Sequence, residues 1–178
     1  MLAWAWKASA TVTRTALPVG ATVRPLWCQD AGIRVVDDDT WSDLFSRVLV
    51  DRIEPALAQA PVPVFLTDYP VHEAALARPA AHDPRVAERF EMYVGGLELA
   101  NCFGELTDAY EQRRRFEAEM AEKSRVYGER YPIDEDFLLA LAQMPPASGG
   151  AMGFDRLVML AAGAPSIDHV QWTPLSLG

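Results

Sequence analysis

Cysteine is scarce in this chain. Cys28 and Cys102 are the only two in 178 residues, and no CxxC or CxxH spacing accompanies them. That excludes a disulfide framework and a cysteine-based zinc site. The three histidines, His72, His82 and His169, also lack ligand spacing and read as ordinary surface or loop residues. Long apolar runs are missing too. The opening "MLAWAWKASATVTRTALPVGATVRPLW" is interrupted by Lys7, Arg14 and Arg24, well short of the ~20 residues that cross a bilayer. It has neither the basic start nor the continuous apolar centre of a secretory signal. Positive charge is in deficit, with 16 basic against 25 acidic residues and a net charge of -9, which opposes adhesion to phosphate backbones and anionic membranes. Neither a membrane nor a nucleic acid is therefore the first expectation for a partner, and a reducing cytoplasm is the expected location. Internal repeats and low-complexity tracts are absent.

What the chain has is apolar residues, half of the total, enough for one domain with a substantial core. Thr40 followed by Asp43 resembles a capping box, and Leu44, Val48 and Leu49 have helical spacing, which predicts a helix over 41–57. "VPVFLTDYP" is short, β-branched and bounded by prolines, so it reads as a buried strand. Asp108 with Glu111 caps a long charged helix, with Glu111–Arg115 and Glu119–Lys123 as i,i+4 pairs and Arg113, Arg114 and Arg115 as a solvated face. A further helix, "DEDFLLALAQM", stops before Pro145 and Pro146. Trp4, Trp6, Trp27 and Trp41 read as core residues, and Cys102 as a small packed side chain.

Two segments carry chemistry. In "RFEMYVGGLELANCFGELTD" the pair Gly95–Gly96 predicts a tight hairpin turn, with Tyr93 opposite Glu98 and Glu91 opposite Ala100. Glu91 and Glu98 then share a face as diagonal neighbours and repel unless a cation lies between them. Magnesium suits them, because it takes one or two carboxylates and completes its shell with water and phosphates. A solvated sheet face is the plainer reading of the same pair. Strict alternation puts Asn101 on the other face, and a bulge near Ala100 or Cys102 would bring it back. In "ASGGAMGFDRLVMLAAG" Arg156 falls in the first turn of a helix that reads as buried, where the helix dipole disfavours a cation. A nucleotide phosphate opposite it, or an internal ion pair with Glu98 or another carboxylate, would resolve the conflict.

These segments, together with "DPRVAERFEMY", "EQRRRFE" and "YPIDEDFL", resemble the carboxyl-terminal half of a class II aminoacyl-tRNA synthetase catalytic domain of the lysyl type. Within that group they resemble the elongation factor P lysine ligases more closely, over residues 37–174. The resemblance implies an α/β fold, an antiparallel sheet flanked by helices, with residues 37–178 as the half that carries motif 3 and 1–36 as a divergent or truncated segment. It implies that ATP and Mg2+ are held by Glu91 and Glu98, that Asn101 and Glu105 meet the lysine, and that Arg156 binds the ATP phosphates. The motif 3 pattern GxGxGxDR reads here Gly149, Ala151, Gly153. The lysine ligases are similar in having that alanine, which is expected to shape the pocket for β-lysine.

The reaction so implied is activation of lysine or β-lysine as an adenylate, followed by transfer to a lysine of elongation factor P. Motif 1, through which the family forms homodimers, and most of motif 2, with its α-phosphate arginine, have no counterpart here. "MLAWAW" resembles the last residues of motif 2, with Ala3 where the family has glutamate, and residues 7–30 fit poorly. The expectation is half an active site. A non-catalytic remnant and a lysyl-tRNA synthetase piece are the alternatives.

Overall fold

Thr40 and Asp43 form the expected capping box: the Asp43 amide donates to Thr40 Oγ1 at 3.2 Å, and the Thr40 amide donates to Asp43 Oδ2 at 2.8 Å. In the computed structural model, which describes residues 25–173, a short helix α1 (Pro25–Asp30) precedes this cap and α2 (Trp41–Val48) follows it. The chain continues through a π-helical turn, Leu49–Ile53, into α3 (Glu54–Ala58). The wider turn lies immediately before Pro55, whose ring lacks an amide hydrogen and would crowd a regular α-helical carbonyl four residues earlier. The predicted helix over 41–57 is thus present as three joined pieces. The Trp residues at 4 and 6 lie outside the described residues, as do Ala3, Lys7, Arg14 and Arg24.

Next come β1 (Val64–Thr67), the small pair β2 (Pro79–Ala80) and β3 (Asp83–Ala87), and the hairpin strands β4 (Arg89–Val94) and β5 (Leu97–Gly104). After α4 (Ala109–Tyr127) and α5 (Glu135–Leu141) the chain forms β6 (Ser148–Met152) and α6 (Phe154–Ala162). The main sheet runs β1-β4-β5-β6, and every pairing is antiparallel. Phe45, Ile53, Leu57, Leu66, Tyr69 and Tyr93 form a core between the α2–α3 rod and the β1–β4 side of this sheet. Gly95 and Gly96 both have positive φ, 58° and 79°, as a type I′ hairpin turn demands. Gly96 also lies against Ala58, whose Cβ would be 2.7 Å from an added methyl.

Three expectations are corrected. Arg113, Arg114 and Arg115 do not form one solvated face, because successive helical residues turn by ~100° and three span more than half the circumference. Arg115 is only 8% exposed. Lys123 pairs with Glu129 at 3.5 Å rather than with Glu119. Finally, α6 has no buried residue, although its sequence is largely apolar. Its main contact with the sheet is to β5, and the apolar run is not matched by a covering layer among the described residues. Among those residues no helix is long and apolar enough to cross a membrane.

Candidate functional site

The register of β4 and β5 decides which side chains meet. Val94 pairs with Leu97 and Tyr93 with Glu98, as expected, but Met92 pairs with Ala100, leaving Leu99 as an extra residue in β5. Glu91 therefore faces Asn101, not Ala100. The bulge lets adjacent Leu99 and Ala100 both be buried, at 5% and 7% exposure, which a regular strand over a one-sided core does not allow. It also returns Asn101 to the face of Glu98. Across the sheet, Leu66, Glu91, Asn101 and Ala151 make one row, and Arg89, Phe103 and Gly149 make the next.

Glu91 is the best-held group on this face. It is 6% exposed, and Arg89 Nη2 donates to its Oε1 at 2.6 Å. The hydroxyls of Tyr69 and Tyr93 both donate to Oε2, Tyr93 at 2.7 Å. Asn101 Nδ2 lies 3.4 Å from Oε1. Burial, reinforced by hydrogen bonds to Glu91, pushes both tyrosine pKa values well above the ordinary range, so both remain neutral donors. Arg89 is itself fixed: its guanidinium stacks 4.3 Å from the Tyr69 ring centroid, and Nη1 donates to the Glu73 carbonyl at 2.6 Å. Arg89 and Tyr93 were legible in the sequence, because residues two apart in a strand share a face. Tyr69, 22 positions from Glu91, had no such signal.

Glu98 is different. Its side chain is 38% exposed, and its nearest cation is Arg156, with Nη1 3.7 Å from Oε2 and 2.6 Å from the Glu98 carbonyl oxygen to which it donates. In this structure Glu98 is therefore the negative partner that a cation in the first turn of α6 requires. Gly153, the N-cap of α6, anchors that turn by donating to the Leu99 carbonyl at 2.9 Å. Further along the face, the Glu105 carboxylate passes over Gly149, where a methyl group would collide with it. Ala151 stands beside Asn101 on the next strand.

The family model for the class II tRNA synthetases (D, K and N) matches residues 47–176. The chain belongs to that family. Its relatives include the lysine–tRNA ligase of Moorella thermoacetica, 46% identical over 71% of this chain and 26% of that protein. That of Thermosynechococcus vestitus is 40% identical over 86% of this chain and 30% of that protein, and that of Dehalococcoides mccartyi is 44% identical over 73% and 26%. The chain thus spans about a quarter to a third of the length of the curated relatives it matches. The antiparallel sheet with flanking helices is that of a partial class II catalytic domain.

Class II synthetases in general use ATP and Mg2+, so the donor set can be tested against a metal. Glu98 fits as it stands, with a half-open carboxylate and one distant ion-pair partner. Glu91 fits only if it exchanges a donor, since Arg89, Tyr69, Tyr93 and Asn101 already surround its oxygens. Among the described residues no three His, Cys, Asp or Glu side chains converge as a cage, and magnesium does not need one where a substrate supplies phosphate oxygens. A cavity of about 590 Å³ is lined by Thr67, Phe90, Cys102 and Gly150 together with Arg89, Phe103 and Gly149, and neither Glu91 nor Glu98 lines it.

Proposed function

We propose that this chain carries the lysine- and phosphate-contacting part of an ATP-dependent lysine-activating site. The observation that carries the reading is the Leu99 bulge, which aligns Glu98 and Asn101 along one face of β5, with Glu105 just past its end and over Gly149 of motif 3. Glu105 supplies the anion that a buried lysine ammonium requires. Asn101, steadied by Glu91 and Arg89, offers one amide to the same amino acid. Arg156 would exchange Glu98 for the phosphates of ATP, and Glu98, joined by Glu91 once one of its present donors gives way, would hold the magnesium ion that supplies charge neutralisation there. In the reaction a carboxylate oxygen of lysine attacks the α-phosphorus, the bond to pyrophosphate breaks, and an acceptor nucleophile then displaces AMP from the aminoacyl carbonyl. The residues here act by positioning and charge placement rather than by proton transfer.

A second reading concerns the acceptor. Ala151 puts a methyl group beside Asn101 where the lysyl-tRNA synthetase pattern has glycine. It favours an elongation factor P lysine ligase using lysine or β-lysine over a tRNA-charging enzyme. The test is lysine- and β-lysine-dependent exchange of labelled pyrophosphate into ATP, followed by transfer assays to elongation factor P and to tRNA. Exchange that depends on lysine supports the activating site, and protein labelling without tRNA charging supports the second reading. Charging of tRNA alone overturns the second reading. A chain that neither exchanges pyrophosphate nor gains melting temperature from magnesium ATP is a non-catalytic member of the family.

A further inference from the structure

Two side chains of α4 point inward for no reason internal to the helix. Gln112 is 1% exposed and Arg115 is 8% exposed. Their side-chain donors converge on one short stretch, residues 74–77. Arg115 Nη1 donates to the carbonyls of Ala74 and Ala77, both at 2.9 Å, with that of Ala75 at 3.3 Å. Gln112 Nε2 donates to the Ala75 carbonyl at 3.1 Å. The guanidinium charge is balanced by Glu111, 3.0 Å from Nε, while Nη2 is buried with no hydrogen-bond partner. A guanidinium that leaves one donor unpaired but engages these carbonyls is placed by the loop rather than by its own satisfaction.

That loop holds the end of β5. The Leu106 amide donates to the Leu76 carbonyl at 2.9 Å, the Arg78 amide donates to the Gly104 carbonyl at 2.8 Å, and Ala77 bridges to Glu105. On its other side the Glu105 amide donates to the Ala147 carbonyl at 3.0 Å. Glu105 is thereby clamped between the loop and the entry to β6, with its carboxylate turned over Gly149. We infer that Arg115 and Gln112 are positioning residues that set Glu105 through the 74–77 loop, and so govern discrimination of the lysine ammonium from an uncharged side chain. The ligand half of this inference rests on the reading proposed above; the clamp itself does not.

The test uses the full chain with Arg115→Met and, because burying fewer donors there can impair folding, Gln112→Leu as the gentler variant. Amide hydrogen exchange is read at Leu106 and Arg78, and binding of L-lysine, norleucine and magnesium ATP is measured separately. The expected result is exchange at these two amides faster by ~10-fold or more, with the β4–β5 ladder unchanged, and L-lysine affinity lower by a similar factor. Norleucine and magnesium ATP binding stay as in the parent chain. Unchanged exchange at Leu106 and Arg78 overturns the inference, as does uniform acceleration with parallel loss of lysine and ATP, which would make the two residues merely stabilising. If the parent chain binds lysine no better than norleucine while the two amides still respond, the clamp stands and the lysine assignment falls.

Discussion

The two sides of the main sheet are built on opposite plans. On the β1–β4 side Glu91 is 6% exposed, enclosed by Tyr69 and Tyr93, and covered by the core that the α2–α3 rod lays on the sheet. On the β6–α6 side Met152 is 56% and Phe154 72% exposed, and α6 has no buried residue. Both sides carry a carboxylate facing an arginine, yet Glu91–Arg89 is a closed network and Glu98–Arg156 an open pair. In the first, charge is fixed before any ligand arrives; in the second, the partners are free to be exchanged. The activating site proposed above, which would grip one substrate by pre-set geometry and release another after reaction, calls for both kinds.

The sharpest way to break this contrast is to remove each carboxylate in turn. Glu91→Leu strands the Arg89 guanidinium and two tyrosine hydroxyls in a buried setting, and loss of one partner of such a pair costs ~3–5 kcal/mol. Glu98→Gln leaves only a half-exposed arginine, and a surface change of that kind stays within about 0.5 kcal/mol. Urea unfolding of the two variants checks this. Similar midpoints for both would show that the Glu91 network is not the closed unit its hydrogen bonds indicate. Under the reading proposed above, magnesium ATP is expected to raise the melting temperature of the parent chain, and Glu98→Gln is expected to abolish that rise.

A smaller effect tests the open side from its glycines. An added methyl on Gly150 would collide with Cys102 Sγ and lie 3.1 Å from Cys102 Cβ, so Gly150→Ala is expected to cost ~1–3 kcal/mol as overpacking. Cys102→Ala removes the sulfur and should recover most of the loss, giving a coupling energy of at least ~0.5 kcal/mol in the double-mutant cycle. Additive losses would mean that β6 is not held against β5 at this point. The tight contact also explains the packing role expected for Cys102: its thiol fills the space that the glycine leaves.

Much of this architecture was legible because local rules agree with the fold. The Thr40–Asp43 cap, the Gly95–Gly96 turn and the Asp108 cap of α4 each follow from residues near one another in sequence. The shared face of Glu91 and Glu98 followed from the turn alone. Asn101 required a bulge near Ala100 or Cys102, and the register puts it beside Ala100, at Leu99; the choice between the two places is made by the core, which takes both Leu99 and Ala100. Arg115 was misread because its partners are backbone carbonyls 38 to 41 positions away, and carbonyls carry no residue-type signal. The exposure of α6 was misread for the complementary reason: an apolar helix shows that it can be covered, not what covers it.

The smallest expected effect sharpens the contrast with a third carboxylate, Glu111, whose exposure lies between those of Glu91 and Glu98. Hydrogen bonds from Arg114 and then Arg115 lower its pKa to about 2 from an ordinary 4.5. Because the folded value is depressed, the pair contributes stability above the unfolded pKa, and that contribution is lost as pH falls from about 4.5 toward 2. The full shift would correspond to ~3 kcal/mol, but Arg114 is 68% exposed, and solvent screening of such a pair reduces the expectation to ~1 kcal/mol. Other lowered carboxylates, Asp83 among them, titrate in the same range, so the measurement is a difference between the parent chain and Glu111→Gln. That difference should be ~1 kcal/mol near pH 6 and should shrink steadily toward pH 2. A difference that persists at low pH would mean that Glu111 acts by packing against Arg115 rather than by charge, and the guanidinium in α4 would then be held by the 74–77 carbonyls alone.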